Sequence, residues 1–274
     1  MLQPGKWRLV RTPPAEGAWN MAVDEAILEA VGQRSVLPTL RLYAWNPPCL
    51  SLGYAQPFRE VDVDALQKNS WHVVRRPTGG RAILHADELT YSVIAPLDEP
   101  RVKGRVLESY RRLSQALLQA LALLGLPARA DHEYFAPQGA APDGPVCFEV
   151  PSNYEITAGG KKLIGSAQAR RKEGVLQHGS LPLYGDLTRI TQVLVYPDDA
   201  SRAQAAERLL QHATSMELLG KSVSWEESAQ AVQEAFCRTL NISFEVQELT
   251  PEERKRAGEL VEQKYAHPSW TMRI

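Results

Sequence analysis

The sequence predicts an α+β fold: a mixed, mostly antiparallel central sheet flanked by helices, with a helical C-terminal segment. Three observations carry this. Short alternating apolar runs recur from Trp7 to Leu183 and are joined by tight turns rich in Gly and Pro, as neighbouring antiparallel strands require. Helical periodicity interrupts these runs only occasionally, unlike the regular strand–helix alternation of a doubly wound parallel sheet. After Tyr184 the pattern becomes mainly helical.

Taken in order, Trp7 to Val10 reads as an edge strand stopped by Pro13-Pro14. Ala18 to Val31 sets Met21, Ala22, Ala26, Ile27 and Ala30 at helical spacing, with Asn20 as a cap or a pocket-facing group. Thr39 to Trp45 alternates, and Pro47-Pro48 turns the chain into a short strand from Cys49 to Tyr54. A short helix (Asp62 to Lys68) and a buried strand (Trp71 to Arg75) lead to the turn Pro77-Thr78-Gly79-Gly80. Arg81 to Leu84 and Glu88 to Ala95 are strands about a tight His85-Ala86-Asp87 turn. Arg105 to Leu124 is the clearest helix, with Leu107, Tyr110, Leu113, Leu117, Leu121 and Leu124 along one side and Gly125 and Pro127 as its stop.

Phe135 to Val146 is a long Gly/Pro/Ala loop, a length usually kept for function. A hairpin follows, from Asn153 to Thr157 and on past Gly159-Gly160. The next strand ends at His178-Gly179-Ser180. The remaining helices are Asp186 to Gln192, Arg202 to His212, Ser224 to Leu240 and Thr250 to Tyr265. Capping boxes Ser224-x-x-Glu227 and Thr250-x-x-Glu253 open the last two, and Ile242 to Gln247 is a further edge strand.

A chain of 274 residues, 44% hydrophobic, can bury one large core or a main domain with a small appendage. A net charge of -1 does not call for nucleic acid. Three cysteines leave one unpaired in any disulfide scheme, so a reducing, cytoplasmic setting is expected. The start MLQPGKWRLV lacks the apolar core of a signal peptide, and no apolar run reaches bilayer-spanning length.

Four features carry possible chemistry. In Arg75-Arg76-Pro77-Thr78-Gly79-Gly80-Arg81, glycines let backbone amides approach a ligand and arginines favour a phosphate or carboxylate. The same run is equally a hairpin turn with solvated arginines. It fits neither a P-loop nor a dinucleotide fingerprint. His85 and His178 stand at strand ends. His85-x-Asp87 lacks further ligands at zinc spacing, so no metal is expected. Lys161 and Lys162 follow a Gly-Gly turn and must point to opposite faces of a strand. An inward Lys162 would polarise a carbonyl or hold an acyl phosphate, and the alternative is two solvated turn lysines. Cys147 follows the long loop, whereas Cys49 and Cys237 sit in apolar contexts as packing residues. A working thiol needs a cation or base nearby, and Lys162 and the histidines are the candidates. Without one it is a solvent-facing spectator.

Together these pieces resemble the lipoate-protein ligase and octanoyltransferase family. The resemblance rests on Asn20-Met21-Ala22-x-Asp24-Glu25, Arg75-Arg76-x-Thr78-Gly79-Gly80-x-Ala82-x-x-His85, Lys162-x-x-Gly165-Ser166-Ala167-Gln168 and Gln177-His178-Gly179-Ser180. Cys147-Phe148-Glu149-x-Pro151-Ser152-x-Tyr154-Glu155 is most similar to the octanoyltransferase branch found in Gram-positive bacteria, whose donor is octanoyl-acyl carrier protein. Two departures stand out. Arg81 replaces a usual third glycine, and Ala86-Asp87-Glu88-Leu89 replaces a usual Asp-x-Gly-Asn.

The resemblance implies a biotin/lipoate-protein ligase-like fold, related to class II aminoacyl-tRNA synthetases. Residues 1–248 would form the catalytic domain, and 249–274 a helical extension packed on it. It implies an acyltransferase that moves octanoyl from octanoyl-acyl carrier protein, through a thioester on Cys147, to the target lysine of a lipoyl domain such as glycine cleavage H protein. No cofactor, ATP, nucleic acid or membrane is called for, and a monomer is expected. Cys147 and Lys162 are the expected catalytic pair. Arg75, Thr78, Gly79, Gly80, Arg81, His85, Gly165, Ser166, Ala167, His178 and Gly179 would bind substrate, and Arg170, Arg171 and Lys172 are either a docking patch or solvated surface. The competing expectations are an ATP-dependent lipoate-protein ligase, an amidotransferase between lipoyl domains, and a non-catalytic acyl-binding protein on the same scaffold.

Overall fold

The structure, a computed structural model, describes residues 2–131, 146 and 155–274. Cys147, most of the Phe135 to Val146 loop and the expected strand start at Asn153 lie outside the described residues. The chain runs β1 (Gly5–Arg11), α1 (Gly17–Gly32), β2 (Thr39–Tyr43), β3 (Cys49–Leu52), α2 (Val63–Lys68), β4 (His72–Arg75), β5 (Ile83–His85), β6 (Glu88–Ala95), α3 (Val106–Leu123) and β7 (Arg129–Asp131). It continues through β8 (Glu155–Ala158), β9 (Lys161–Arg171), β10 (Gly174–Pro182), α4 (Asp199–His212), α5 (Trp225–Leu240), β11 (Ile242–Val246), α6 (Pro251–Leu260) and α7 (Pro268–Thr271).

The large sheet has eight strands in the order β11-β1-β2-β6-β10-β9-β8-β7, and a small sheet has the order β4-β3-β5. Pairing is parallel at β11–β1 and β1–β2 and antiparallel from β2 to β7, so the sheet is mixed and mostly antiparallel as expected. Two expectations need correction. β1 is not an edge: β11, from the far end of the chain, pairs outside it through Gly5 to Leu9. The strands either side of His85-Ala86-Asp87 are not partners, because β5 pairs with β3 and β6 with β2 and β10. Pairing between segments remote in sequence leaves no local signature, and a short turn reads alike whether the chain stays in one sheet or crosses to another.

Alternation along each strand sorts side chains into two layers. Trp7 and Leu9 on β1, Leu40 and Leu42 on β2, and Leu89, Tyr91 and Val93 on β6 meet α3 and α5 through Leu113, Leu117 and Phe236. Val10, Tyr43, Ile94 and Leu176 belong to the opposite layer, with Met21, Ala26 and Ile27 of α1 and Ala257 and Leu260 of α6. Removing a core leucine from such a layer costs about 2–5 kcal/mol. The apolar side of α3 does not reach its first turn. Leu107 is 44% exposed there, whereas Leu113 and Leu121 are fully buried.

Both expected capping boxes form. Ser224 and Thr250 accept from the amides of Glu227 and Glu253, whose carboxylates bond back. Glu253 also ties α6 to the sheet by a bidentate pair with the fully buried Arg8, at 2.9 and 2.6 Å.

Candidate active site

The site is built on the α1 side of the sheet. In register, Arg41 of β2, Ser92 of β6, His178 of β10 and Ala167 of β9 lie side by side. The next row is Tyr43, Thr90, Ser180 and Gly165. Polar residues on β2, β6 and β10 therefore face α1, and small residues on β9 leave room beside them. Gly179 is needed at its place, because a Cβ there would sit 2.6 Å from Ser166 Oγ and 2.7 Å from the Gly165 carbonyl.

Asp24 of α1 anchors the first row. Its carboxylate accepts from Arg41 at 2.7 Å, Ser92 at 2.6 Å and Tyr43 at 3.1 Å. Asn20, one turn earlier, accepts from Arg41 at 2.7 Å and donates to the Ala15 and Ala44 carbonyls. Burial raises the Asp24 carboxyl, but Arg41 and His178 outweigh it and hold it below the usual carboxylate range.

His178 sits between this carboxylate, 3.7 Å from Nδ1, and the Thr78 hydroxyl, 2.6 Å from Nε2. Burial pushes the imidazole below its ordinary value, with Asp24 opposing.

His85 repeats the plan more tightly. Its Nδ1 is 2.7 Å from Glu88 and its Nε2 is 2.7 Å from Ser51 Oγ, while Trp45 stacks on the ring at 4.0 Å with a 9° interplanar angle. Thr90 and Ser180 donate to the same Glu88 oxygen at 2.5 and 2.8 Å. Thr90 in turn accepts from Trp45 Nε1 at 2.8 Å. Burial raises Glu88, but His85 and the two hydroxyls prevail and hold it below the usual range.

These groups border a cavity of about 320 Å³, at the small end of ligand pockets at roughly 300–1,000 Å³. The expected residues Gly79, Gly80, Arg81, His85, Lys162, Gly165, Ser166, Ala167, His178 and Gly179 all line it. Lys162 is 2% exposed and its Nζ is 2.5 Å from Glu155 Oε1. Its carbonyl accepts from the Thr214 amide after α4, which fixes the backbone below the ammonium. Lys161 points the other way, to the Leu210 carbonyl, so the two lysines do take opposite faces.

Arg75 and Thr78 lie behind the cavity wall. The Arg75 guanidinium donates to the carbonyls of Gly53, Gln56 and Thr271 at 2.6–3.1 Å and so clamps the C terminus. Arg76 donates to the carbonyls of Ser51, Gly79 and Arg81 and to the Ser51 hydroxyl. Neither arginine takes up the solvated role the sequence allowed. Both spend donors on main-chain oxygens and shape the glycine turn.

Sequence reasoning missed Trp45, Ser51, Ile83, Thr90, Val106 and Glu88, the last seen only as a departure from a motif. Val106 and Leu107 on the first turn of α3, both partly exposed, line the opening there, and nothing in the sequence sets them apart from the buried stripe. Cys49 is fully buried and its thiol is pushed far up by burial and by Glu16, as a packing residue's would be. Among the described residues no cluster of His, Cys, Asp or Glu could hold a metal ion, and no helix is long and apolar enough to cross a membrane. Val146, the chain neighbour of Cys147, is buried and bridges Ala82, two residues from the cavity-lining Gly80.

Residues 16–237 match the family described as the lipoyl protein ligase A/B catalytic domain. The chain belongs to this family. Octanoyltransferase LipM of Symbiobacterium thermophilum is 43% identical over 97% of this chain and 98% of its own. Octanoyltransferase LipM of Bacillus subtilis is 38% identical over 98% of this chain and 99% of its own. Among solved structures, the bi-partite lipoate protein ligase of Thermoplasma acidophilum superposes with a TM-score of 0.79 at 28% identity, over 98% of this chain and 96% of that one. A lipoate-protein ligase A bound with ATP gives 0.77 at 29%, over 98% and 99%. The family, its ligase-like fold and the acyltransferase class expected from the motifs are thus confirmed.

Proposed function

We propose that the protein transfers octanoyl from octanoyl-acyl carrier protein to the target lysine of a lipoyl domain, such as that of glycine cleavage H protein, through a thioester on Cys147. The supporting observation is a buried ammonium, Lys162, set in the wall of a narrow cavity beside Gly165, Ser166 and Gly179. A buried lysine is costly, and Glu155 supplies the counter-charge that holds this one at the cavity wall. Near-full-length relatives named for octanoyl transfer supply the acyl group.

In the first half-reaction the Cys147 thiolate adds to the donor thioester carbonyl. The tetrahedral adduct expels the carrier thiolate and leaves octanoyl-Cys147. In the second, the lysine amine adds to that carbonyl, the C–S bond breaks, and the proton the nitrogen loses ends on the departing Cys147 sulfur, leaving an amide and the free thiol. Lys162 donates to the oxyanion in both. An ammonium has three donors, and the Glu155 contact fixes its direction. Burying the octanoyl tail contributes about 0.8 kcal/mol per methylene and so reads its length.

Intact-protein mass measurement after mixing with octanoyl-acyl carrier protein tests this. An octanoyl adduct is expected on the native chain, lost on adding apo lipoyl domain and absent in Cys147→Ala. Lys162→Ala should lose about 100-fold or more of turnover while folded. The neighbour bound with ATP favours a second reading, a lipoate ligase. Cys147→Ala joining free lipoate to a lipoyl domain with ATP would select it.

A further inference from the structure

On the α3 face of the sheet, Gln168 of β9 lies beside Gln177 of β10 in one row, and Ser166 lies beside Gly179 and Tyr91 of β6 in the next. The missing side chain at Gly179 lets the Tyr91 and Ser166 hydroxyls meet at 2.8 Å. A chain of hydrogen bonds joins these groups, and Arg170 sets its direction because a guanidinium can only donate. Arg170 Nε is 3.0 Å from Gln168 Oε1, which turns the Gln168 nitrogen to Gln177 Oε1 at 2.9 Å. Gln177 therefore presents its own nitrogen to the Tyr91 hydroxyl at 3.0 Å. Ser109 of α3 fits the same direction, accepting from Gln168 and Arg170 and donating to the Val106 carbonyl. Tyr91 is buried, and burial pushes its phenol up, so it keeps its proton and must place it. Having accepted from Gln177, it donates to Ser166 Oγ. The consequence falls on Ser166. Its oxygen receives the Tyr91 proton, and its own proton meets no acceptor among the described residues. Ser166 and Gln168 line the cavity that Lys162 also lines.

We propose that Ser166 is a hydrogen-bond donor to the carbonyl oxygen of the bound octanoyl group, and that Gln168, Gln177 and Tyr91 are positioning residues that keep its proton available to the cavity. This rests on the octanoyl-transfer reading above. An octanoyl thioester carries one strong acceptor, its carbonyl oxygen; the sulfur accepts weakly and the alkyl tail not at all. In both half-reactions this oxygen gains negative charge as the tetrahedral adduct forms, so a donor already oriented towards it stabilises the adduct more than the thioester. Ser166 transfers no proton and makes no bond to carbon. Its part is direction, fixed by a chain that begins on the Arg170 guanidinium, turned inward to Gln168 and to the Val102 carbonyl.

The test times octanoyl loading from octanoyl-acyl carrier protein and discharge to apo lipoyl domain separately in single turnover. Isotope-edited infrared spectroscopy of the octanoyl-loaded chain reads the acyl carbonyl band. Ser166→Ala should slow both steps by about 100-fold and move the band to higher frequency. Gln168→Glu tests the direction of the chain. A carboxylate at 168 accepts from Arg170 and cannot donate to Gln177, so the Gln177 amide turns over, Tyr91 donates to Gln177, and Ser166 donates to Tyr91. The hydroxyl stays while its proton leaves the cavity. Gln168→Glu should therefore slow both steps and move the band nearly as much as Ser166→Ala, and should add nothing in the Ser166→Ala background. Unchanged rates and band in Ser166→Ala show a hydroxyl that meets only water and overturn the proposal while octanoyl loading stands. Losses that add in the double variant show a charge at 168 acting on its own and overturn the chain. A native chain that never loads octanoyl overturns the parent reading instead.

Discussion

His85 and His178 border one cavity and follow one plan, a ring between a hydroxyl and a carboxylate, yet the fold holds them differently. His85 is closed in: Trp45 covers its face, and Glu88 is met by Thr90 and Ser180 as well as by the ring. His178 has slack towards Asp24, whose strong partner is the Arg41 guanidinium. The lesson is that the carboxylate's other obligations decide what the histidine can do. Glu88 is committed to His85, whereas Asp24 is committed to Arg41 and only leans on His178.

Breaking the carboxylates should show this first. Asp24→Asn leaves a fully buried guanidinium without its counter-charge and should cost about 3–5 kcal/mol. Glu88→Gln leaves hydroxyls and an imidazole to re-pair and should cost about 1–3 kcal/mol. Urea unfolding at neutral pH measures both, and a larger loss for Glu88→Gln would reverse the comparison.

Acid should resolve the two sites next. Folded His178 is held below its ordinary value, so as pH falls past about 6.5 the unfolded chain takes up that proton first and stability drops. Asp24 and Glu88 are also held low. Their unfolded carboxyls protonate first near pH 4, and stability drops again below that. Thermal melts against pH should therefore decline in two steps. His178→Gln should shrink the upper step, to which His212, also held low by burial, contributes as well, and Glu88→Gln should shrink the lower one.

Finer changes sharpen the contrast. Trp45→Phe keeps a ring over His85 but loses the donor to Thr90, for about 1 kcal/mol and a few degrees in Tm. Thr78→Ser keeps the hydroxyl against His178 and should move stability by no more than about 0.5 kcal/mol.

Much of the fold was legible because local signals agreed. The capping boxes at Ser224 and Thr250, the α3 stripe from Leu113 to Leu121 and the strand alternation of β2 and β6 each state their own geometry. What misled was long range. Trp7 to Val10 looked terminal because β11 comes from the other end of the chain. Nor does a sequence show that carbonyls of Gly53, Gly79 and Thr271 will take up donors of Arg75 and Arg76.

The order of residues by itself determined which segments are strands and helices, since period and caps are properties of neighbours. Spaced motifs also named the family and most of the cavity wall. Only the folded chain decided that Lys162 would be buried against Glu155, that Trp45 would stack on His85, and that Asp24 would divide its charge between Arg41 and His178. Those outcomes depend on strand register and on α1 crossing the sheet, and desolvation makes each one consequential. A charge or ring acquires its chemistry from the groups that replace its water, and those come from far along the chain.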